Sequence, residues 1–281
     1  MKVFLGLANA SKNYRSANLK IDTEIIGELL AAGTLDGLDT AESYDNFHLL
    51  KDIGIKEPNL DLTSKIGLKP YMSSSSLQDS ILTMSDVYKI KNGFNLLIHD
   101  STLDKIYQWG KFRDVLEVML DQKIIRSFGL SAYLPYEVDF FRRIFPFASI
   151  FQIPRNLFTQ KLDFRNDVEK NSLNEPVNYY IRSIFAGGNF SHIQKILEGD
   201  LSSSISPMVE QTLSKEDTLL EISANYQRRF PDSNLVIGAN NVNQIIQTAN
   251  LLRQDRHHEF SHIENVLSSY SGILADLRRV G

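Results

Sequence analysis

Apolar and polar residues follow two alternating periods along the chain. Short, nearly continuous apolar runs are each followed by a longer segment in which apolar residues recur every three or four positions. The first pattern is typical of strands buried on both faces, and the second is typical of amphipathic helices. The runs of strand length predict eight strands, at residues 3–8, 36–39, 59–66, 93–99, 124–131, 149–153, 179–185 and 234–237.

The helical spacing predicts helices between these strands. Residues 156–178 are polar and predict only a broken helix. Eight strands alternating with helices indicate an α/β protein, a (β/α)8 TIM barrel, in a single domain over 1–281. The predicted helices are 23–32 capped by Thr23, 47–53, 76–91, one long helix over 103–122, 135–145 opened by Pro135, 215–229 capped by Ser214, 242–252, and an extra C-terminal helix over 263–277 that covers the barrel from outside.

Composition narrows the class of protein. A chain of 281 residues is long for an ordinary domain but normal for such a barrel. The net charge of −4 makes nucleic acid and anionic membranes poor partners, and no run approaches the roughly 18 apolar residues of a membrane helix.

The chain contains no cysteine, which excludes disulfides, thiolate metal sites and cysteine nucleophiles. The six histidines are scattered along the chain, so no metal site is predicted. The apolar N-terminal run is too short for a signal peptide, and we expect a cytoplasmic protein.

Ionisable residues stand at the ends of three successive buried strands. Asp39 ends the second strand, Lys65 lies near the end of the third, and His99 ends the fourth, while Tyr44 follows Asp39 by five positions. In barrels of this kind the catalytic groups lie at the C-terminal ends of the strands. Alone, each residue has a structural interpretation, as a turn cap, a packed aromatic, a solvated lysine or a core histidine. Together they favour an active site.

The four residue types suit the reduction of a carbonyl group. A free tyrosine has a pKa of roughly 10, and a lysine ammonium close to Tyr44 is expected to lower it. Asp39 would keep Lys65 charged, and His99 would donate a hydrogen bond to the carbonyl oxygen. Tyr44 would then protonate that oxygen as hydride reaches the carbon. Because no side chain supplies hydride, a cofactor is required.

At these residues the sequence resembles the aldo-keto reductases. The segments Asp-Thr-Ala-x-x-Tyr at 39–44, Ser-Lys-x-Gly at 64–67 and Leu-Leu-Ile-His at 96–99 match the tetrad of that family in order and context. Residues 128–131 and 152–156 are similar to its fifth- and sixth-strand signatures. The resemblance implies a barrel that binds NADP(H) in an extended pose, with Tyr44 as acid.

The resemblance also implies a set of cofactor-binding residues. Ser131 and Gln152 would hold the nicotinamide carboxamide, and Arg182 aligns with an aromatic residue that often stacks on the nicotinamide. Ala132 stands where the family usually has asparagine. The remaining implied contacts are Ser183, Phe185 and Gly187 along the pyrophosphate, and Gly238, Asn240, Asn241 and Gln244 towards the adenosine phosphate.

The sequence does not decide whether the dinucleotide is NADP(H) or NAD(H). NADP(H) is usual in the family, but residues 238–252 contain no lysine or arginine to meet a 2′-phosphate, so NAD(H) is an alternative. Arg253 and Arg256 lie further along as candidate cations. Asn240 and Asn241 could equally be a simple helix cap.

The leading hypothesis is therefore a nicotinamide-dependent oxidoreductase that reduces a small aldehyde or ketone, acting as a monomer or weak homo-oligomer. A second hypothesis is a cofactor-binding regulatory or scaffolding barrel with little turnover. A third is a Schiff-base aldolase with Lys65 as nucleophile, against which Asp39 argues. The candidates for the mouth of the site are residues 13–14, Trp109 and Phe190, although Trp109 could equally pack under a loop.

Overall fold

A computed structural model describes residues 1–11, 21–157, 159, 177–185 and 216–254, with the backbone alone at 47–48, 54–55 and 216–219. Several predictions fall outside these ranges: most of the broken helix in 156–178, the contact at Gly187, the mouth residues 13–14 and Phe190, the cap at Ser214 and the C-terminal helix. The single domain over 1–281 stays a prediction.

Eight strands form a closed barrel in the order in which they occur in the chain. Each pair of neighbours is parallel, and β1 closes the barrel by pairing with β8, Phe4 opposite Val236. The predicted (β/α)8 barrel is therefore confirmed. The strands are β1 Lys2–Gly6, β2 Gly37–Asp39, β3 Asp61–Ile66, β4 Phe94–Ile98, β5 Ile125–Ser131, β6 Ile150–Pro154, β7 Asn178–Arg182 and β8 Asn234–Ile237.

Helices cover the outside of the barrel. The outward side chains of the strands pack under these helices in one large apolar cluster. None of the helices that the described ranges contain has the length and apolar character needed to cross a lipid bilayer. The helices of the described ranges are α1 Thr23–Ala31, α2 Phe47–Lys56, α3 Ser74–Tyr88, α4 Leu103–Trp109, α5 Arg113–Asp121, α6 Pro135–Ile144, α7 Glu216–Arg228 and α8 Val242–Arg253.

The prediction of one long helix over 103–122 is wrong. Helix α4 ends at Trp109, a 3₁₀ turn follows at Gly110–Phe112, and α5 begins at Arg113. Glycine favours such a break because it is a poor helix former. The turn also lets Trp109 and Phe112 both point inward, where they are buried with ring centroids 5.5 Å apart.

Helix starts differ slightly from prediction for reasons of capping. Asp22, and not Thr23, caps α1, because its side chain accepts a hydrogen bond from the Ile25 amide at 2.9 Å. Helix α3 begins two residues early because Ser73 forms a capping box with Ser76.

The inside of the barrel is filled by side chains and is not a pore. Phe4, Leu97, Ile150, Tyr180 and Val236 form a separate apolar cluster there. Below it, Asn95 donates to Tyr180 at 3.2 Å and accepts from Arg126 at 3.1 Å. This packing closes the N-terminal end of the barrel and leaves the C-terminal end for a binding site.

Two glycines on the strands make this filling possible. A Cβ on Gly37 would lie 2.5 Å from the ring of Phe4, and a Cβ on Gly129 would lie 1.6 Å from the carbonyl oxygen of Ile150. Neither position can therefore carry a side chain in this backbone.

Candidate active site

Asp39 and Lys65 form a buried ion pair at the C-terminal end of the barrel. Asp39 is the last residue of β2, and the parallel register places it opposite Thr63, two residues before Lys65 on the same face of β3. Nζ of Lys65 lies 2.5 Å from Oδ1 of Asp39 and donates to the carbonyl oxygen of Thr40 at 3.1 Å. Both side chains are almost inaccessible, at 3% for Lys65 and 6% for Asp39.

The environment of Lys65 acts on its charge in two opposite ways. Burial lowers the pKa of Lys65 below its ordinary value of 10.5, and the Asp39 carboxylate opposes that effect. The guanidinium of Arg182 lowers this pKa further. The ammonium is therefore held by one carboxylate and one carbonyl oxygen in a site that otherwise disfavours charge.

Tyr44 is carried to the site by a short turn. It ends the 3₁₀ turn Glu42–Tyr44, and Asp45 after it has a left-handed backbone with φ 51°. The turn is fixed below by Asn46, which accepts from the Thr40 hydroxyl at 3.0 Å. As a result the Tyr44 ring centroid lies 5.9 Å from Nζ of Lys65.

His99 completes the group on the other side of Tyr44. It follows β4 directly, and its amide donates to the carbonyl oxygen of Ile66 at 2.9 Å. Its ring centroid lies 6.1 Å from that of Tyr44, with the planes at 80°. Burial first, and then Lys65 and Arg182, lower the pKa of His99 to about 4. The imidazole is thus neutral near pH 7, with one nitrogen able to donate a hydrogen bond.

A buried hydrogen-bond chain joins the ion pair to the sixth and fifth strands. The amide of Gln152 donates to Oδ2 of Asp39 at 2.6 Å, and the Ser131 hydroxyl donates to Oε1 of Gln152 at 3.4 Å. Register explains the second contact, because Ser131 and Gln152 face each other across β5 and β6. The link from Gln152 to Asp39 was not predicted, since no sequence signal joins residues 113 positions apart. The carboxamide role of Ser131 and Gln152 stays a prediction.

Arg182 lies at the same rim, at the end of β7. Its guanidinium donates to the carbonyl oxygen of Ala132 at 3.1 Å and stacks over the Tyr133 ring at 4.1 Å. A second, longer contact of 3.5 Å reaches the hydroxyl of Ser183. The side chain therefore extends from β7 across to the end of β5, beside the alanine that departs from the family pattern.

The remaining predicted cofactor residues lie around β7 and the start of α8. Ser183 has a left-handed backbone with φ 57°, and Phe185 packs partly buried against the core. Gly238 is exposed, and a Cβ there would meet only Nδ2 of Asn9, at 3.9 Å.

The start of α8 is ordered by its own side chains. Asn241 caps the helix by accepting from the Gln244 amide at 2.9 Å, and Oε1 of Gln244 accepts from the Asn240 amide at 2.8 Å. Asn9, after β1, donates to Oδ1 of Asn240 at 3.1 Å. The capping interpretation therefore holds for Asn241, whereas Asn240 joins two loops of the barrel mouth.

Arg253 does not lie where a cofactor phosphate was expected. It ends α8, about 18 Å along the axis from the start of that helix. Its guanidinium donates to the carbonyl oxygens of Gly33 and Thr34 at 2.6 and 2.9 Å, and it pairs with Asp36 at 2.7 Å. These contacts hold it at the N-terminal end of the barrel, so it is removed from the candidate phosphate ligands. Arg256 lies outside the described residues.

Comparison with known proteins gives a similar fold without similar sequence. No protein-family model matches the chain, and no curated protein matches it. Among solved structures, an aldo-keto reductase from Bacillus halodurans in its holo form has a TM-score of 0.70 at 14% identity, covering 96% of this chain and 92% of its own. An aldo-keto reductase from Klebsiella pneumoniae in complex with NADPH has a TM-score of 0.65 at 14% identity, covering 95% and 90%. One from Brucella melitensis has a TM-score of 0.63 at 13% identity, covering 95% and 93%. At these identities the comparisons establish a shared fold.

Proposed function

We propose that this protein is an NADP(H)-dependent aldo-keto reductase that reduces a small aldehyde or ketone to an alcohol. The observation that carries this proposal is the buried pair of Asp39 and Lys65 placed beside the rings of Tyr44 and His99 at the open end of the barrel. The solved reductases with the same fold, one of them in complex with NADPH, support it.

In the proposed reaction Tyr44 is the general acid. A carbonyl oxygen that gains negative charge takes the phenolic proton, and the Lys65 ammonium stabilises the phenolate that remains. Asp39 keeps that ammonium in place, because Lys65 would otherwise lose charge in a buried site. Gln152 and the Thr40 carbonyl fix the two partners by the hydrogen bonds described above.

His99 orients the substrate in this scheme. Because its pKa of about 4 leaves the imidazole neutral, it can donate one hydrogen bond to the carbonyl oxygen without competing with Tyr44 as an acid. Two donors, Tyr44 and His99, then converge on the same oxygen, which polarises the carbonyl group.

The residues at the barrel mouth fit a nicotinamide dinucleotide, which would supply hydride to the carbonyl carbon when bound. Ser131 and Gln152 offer polar groups beside the ion pair, suited to a carboxamide. Gly238 leaves open space next to the N-terminus of α8, and a helix N-terminus favours the negative charge of phosphates. NADP(H) is proposed from the complexes of the related folds. NAD(H) is the alternative, since residues 238–252 lack a cation and Arg253 is engaged elsewhere.

The test separates cofactor binding from turnover. Dissociation constants of NADPH and NADH are measured by fluorescence, and reduction of a panel of aldehydes and ketones is followed by cofactor absorbance. Tyr44→Phe should lower kcat on the order of 10²–10⁴-fold while the cofactor dissociation constant stays the same. Tyr107→Phe, on the exposed face of α4, is the matched control and should keep full activity. A Tyr44→Phe protein with wild-type turnover would contradict the assignment of Tyr44 as the general acid.

Two other functions are less well supported. The first is a cofactor-binding regulatory or scaffolding barrel. It is favoured by Ala132 and Arg182, which depart from the reductase pattern, and it predicts tight dinucleotide binding without turnover of any carbonyl compound.

The second is a Schiff-base aldolase, which needs the Lys65 amine to attack a carbonyl carbon. That amine is occupied by Asp39 and Thr40, and failure of borohydride to trap substrate on Lys65 would exclude the aldolase.

A further inference from the structure

Arg182 adds a positive charge to the active-site rim that the described neighbours do not neutralise. Asp39 and Lys65 form a pair and cancel, and His99 is neutral. The described contacts of Arg182 are all with uncharged groups: the Ala132 carbonyl, the Ser183 hydroxyl and the Tyr133 ring. Within the described residues, Arg182 forms no salt bridge that would cancel its charge.

Three carboxylates near this rim, those of Asp100, Glu42 and Glu137, have partners other than Arg182. Asp100 pairs with Lys105 at 2.6 Å and accepts from the amide of Leu68. Glu42 pairs with Lys69, and Glu137 accepts from the amides of Tyr133 and Leu134 at 2.7 and 3.0 Å. Glu42 and Asp100 are ion-paired with Lys69 and Lys105, and Glu137 is held by backbone amides, so the described contacts of these acids do not include the guanidinium of Arg182.

The electrostatic influence of Arg182 reaches the catalytic group. The positive charge of Arg182 lowers the pKa of both Lys65 and His99. The guanidinium is only partly exposed, so solvent screens it less than a surface charge. Any group that binds between these residues will feel the same field.

We infer that Arg182 makes this site select the redox state of its cofactor, so that the reduced dinucleotide binds more tightly than the oxidised one. This inference rests on the proposed function. The two redox states share their phosphates and riboses and differ in the nicotinamide ring, which is neutral when reduced and carries a positive charge when oxidised. Arg182 repels only the charged ring.

The size of the effect follows from the interaction of two unit charges. At an effective dielectric constant of about 20 and a separation of several ångströms, the repulsion corresponds to a preference of roughly tenfold to a hundredfold for the reduced form. The same repulsion speeds release of the oxidised dinucleotide. A contact between Arg182 and a phosphate would behave differently, because it would strengthen the binding of both redox forms equally.

The experiment compares dissociation constants of NADPH and NADP⁺ for the wild type, Arg182→Gln and Arg182→Lys, measured by calorimetry at pH 7.5. The ratio of the oxidised to the reduced constant should fall by roughly tenfold or more in Arg182→Gln and should be kept in Arg182→Lys, which retains the charge. Arg143→Gln removes an exposed cation from α6 and should leave the ratio unchanged.

Each other outcome overturns the inference in a recognisable way. If Arg182→Gln weakens the binding of NADPH and of NADP⁺ equally, Arg182 contacts a phosphate group and not the nicotinamide ring. An unchanged ratio, with both forms still bound, would show that its charge does not reach the ring. A wild-type protein that binds neither form would overturn the proposed function as well. Circular dichroism on both Arg182 variants confirms that each is folded.

Discussion

Asp39 accepts from Gln152 at 2.6 Å through one carboxylate oxygen, while its other oxygen lies 2.5 Å from the Lys65 amine. One buried carboxylate thus joins β2, β3 and β6 across the interior of the barrel. Because both of its oxygens are occupied, a movement of the Asp39 carboxylate would break its contact with Gln152 or with Lys65. The position of the Lys65 ammonium is therefore set by the barrel and does not depend on a flexible loop.

Replacing Asp39 with asparagine should destabilise the fold strongly. The change keeps the shape of the side chain but leaves a buried ammonium without a counter-charge, which typically costs about 3–5 kcal/mol. Urea unfolding monitored by the single tryptophan, Trp109, should show a lower midpoint with an unchanged slope.

The double variant Asp39→Asn with Lys65→Met is the control for this prediction. Removing the ammonium as well removes the uncompensated charge, so the double variant should be more stable than Asp39→Asn alone. An Asp39→Asn protein as stable as the wild type would contradict the buried ion pair.

Sequence patterns could bring together three of the candidate catalytic residues because each of the three stands at the end of a regular strand. A buried parallel strand is read from its continuous apolar run, and its end marks one rim of the barrel, so Asp39, Lys65 and His99 could be assigned to one site. Tyr44 was proposed as the acid from its chemistry beside a lysine, but its position could not be inferred from a strand end, because it depends on the short turn at Glu42–Tyr44 and on the left-handed Asp45.

Features that depend on the conformation of a long side chain could not be predicted from the strand pattern. Arg182 was assigned to the seventh strand, predicted over 179–185, whereas β7 ends at Arg182. Its stacking on Tyr133 depends on contacts between β7 and the loop after β5. Arg253 was one of two candidate cations for the 2′-phosphate, yet the whole of α8 separates it from that rim. The break at Gly110 was missed because the apolar spacing continues across it.

Arg253→Gln should leave the choice between NADPH and NADH unchanged. Arg253 is held by Gly33, Thr34 and Asp36 at the N-terminal end of the barrel, on the side away from the catalytic residues. The ratio of the NADPH and NADH dissociation constants should therefore equal that of the wild type. The free energy of unfolding should fall by about 1 kcal/mol, because the lost ion pair is partly exposed.

Arg256→Gln, measured in parallel, tests the other candidate cation from the sequence. Weaker NADPH binding with unchanged NADH binding in Arg256→Gln alone would assign the 2′-phosphate contact to that residue. The same pattern in Arg253→Gln would contradict the position of its guanidinium.

His99 should make the fold sensitive to mild acid. Burial and the cations Lys65 and Arg182 lower its pKa from 6.5 to about 4 in the folded protein, so the native state favours the neutral ring. The stability that this provides is fully present above pH 6.5 and is lost as the pH falls towards 4, because the unfolded chain binds a proton first. The whole shift corresponds to up to about 3 kcal/mol.

His99→Gln isolates this contribution, since glutamine can hydrogen-bond but does not titrate. Urea unfolding at pH 7 and at pH 4.5 should show that the wild type loses stability relative to His99→Gln as the pH falls, while the effects of the shared carboxylates cancel in the difference. NMR of the ring protons should place the titration of His99 well below that of a free imidazole. A stability difference that does not change with pH, or a ring that titrates near 6.5, would mean that His99 is solvated and cannot act as the neutral donor in the proposed reaction.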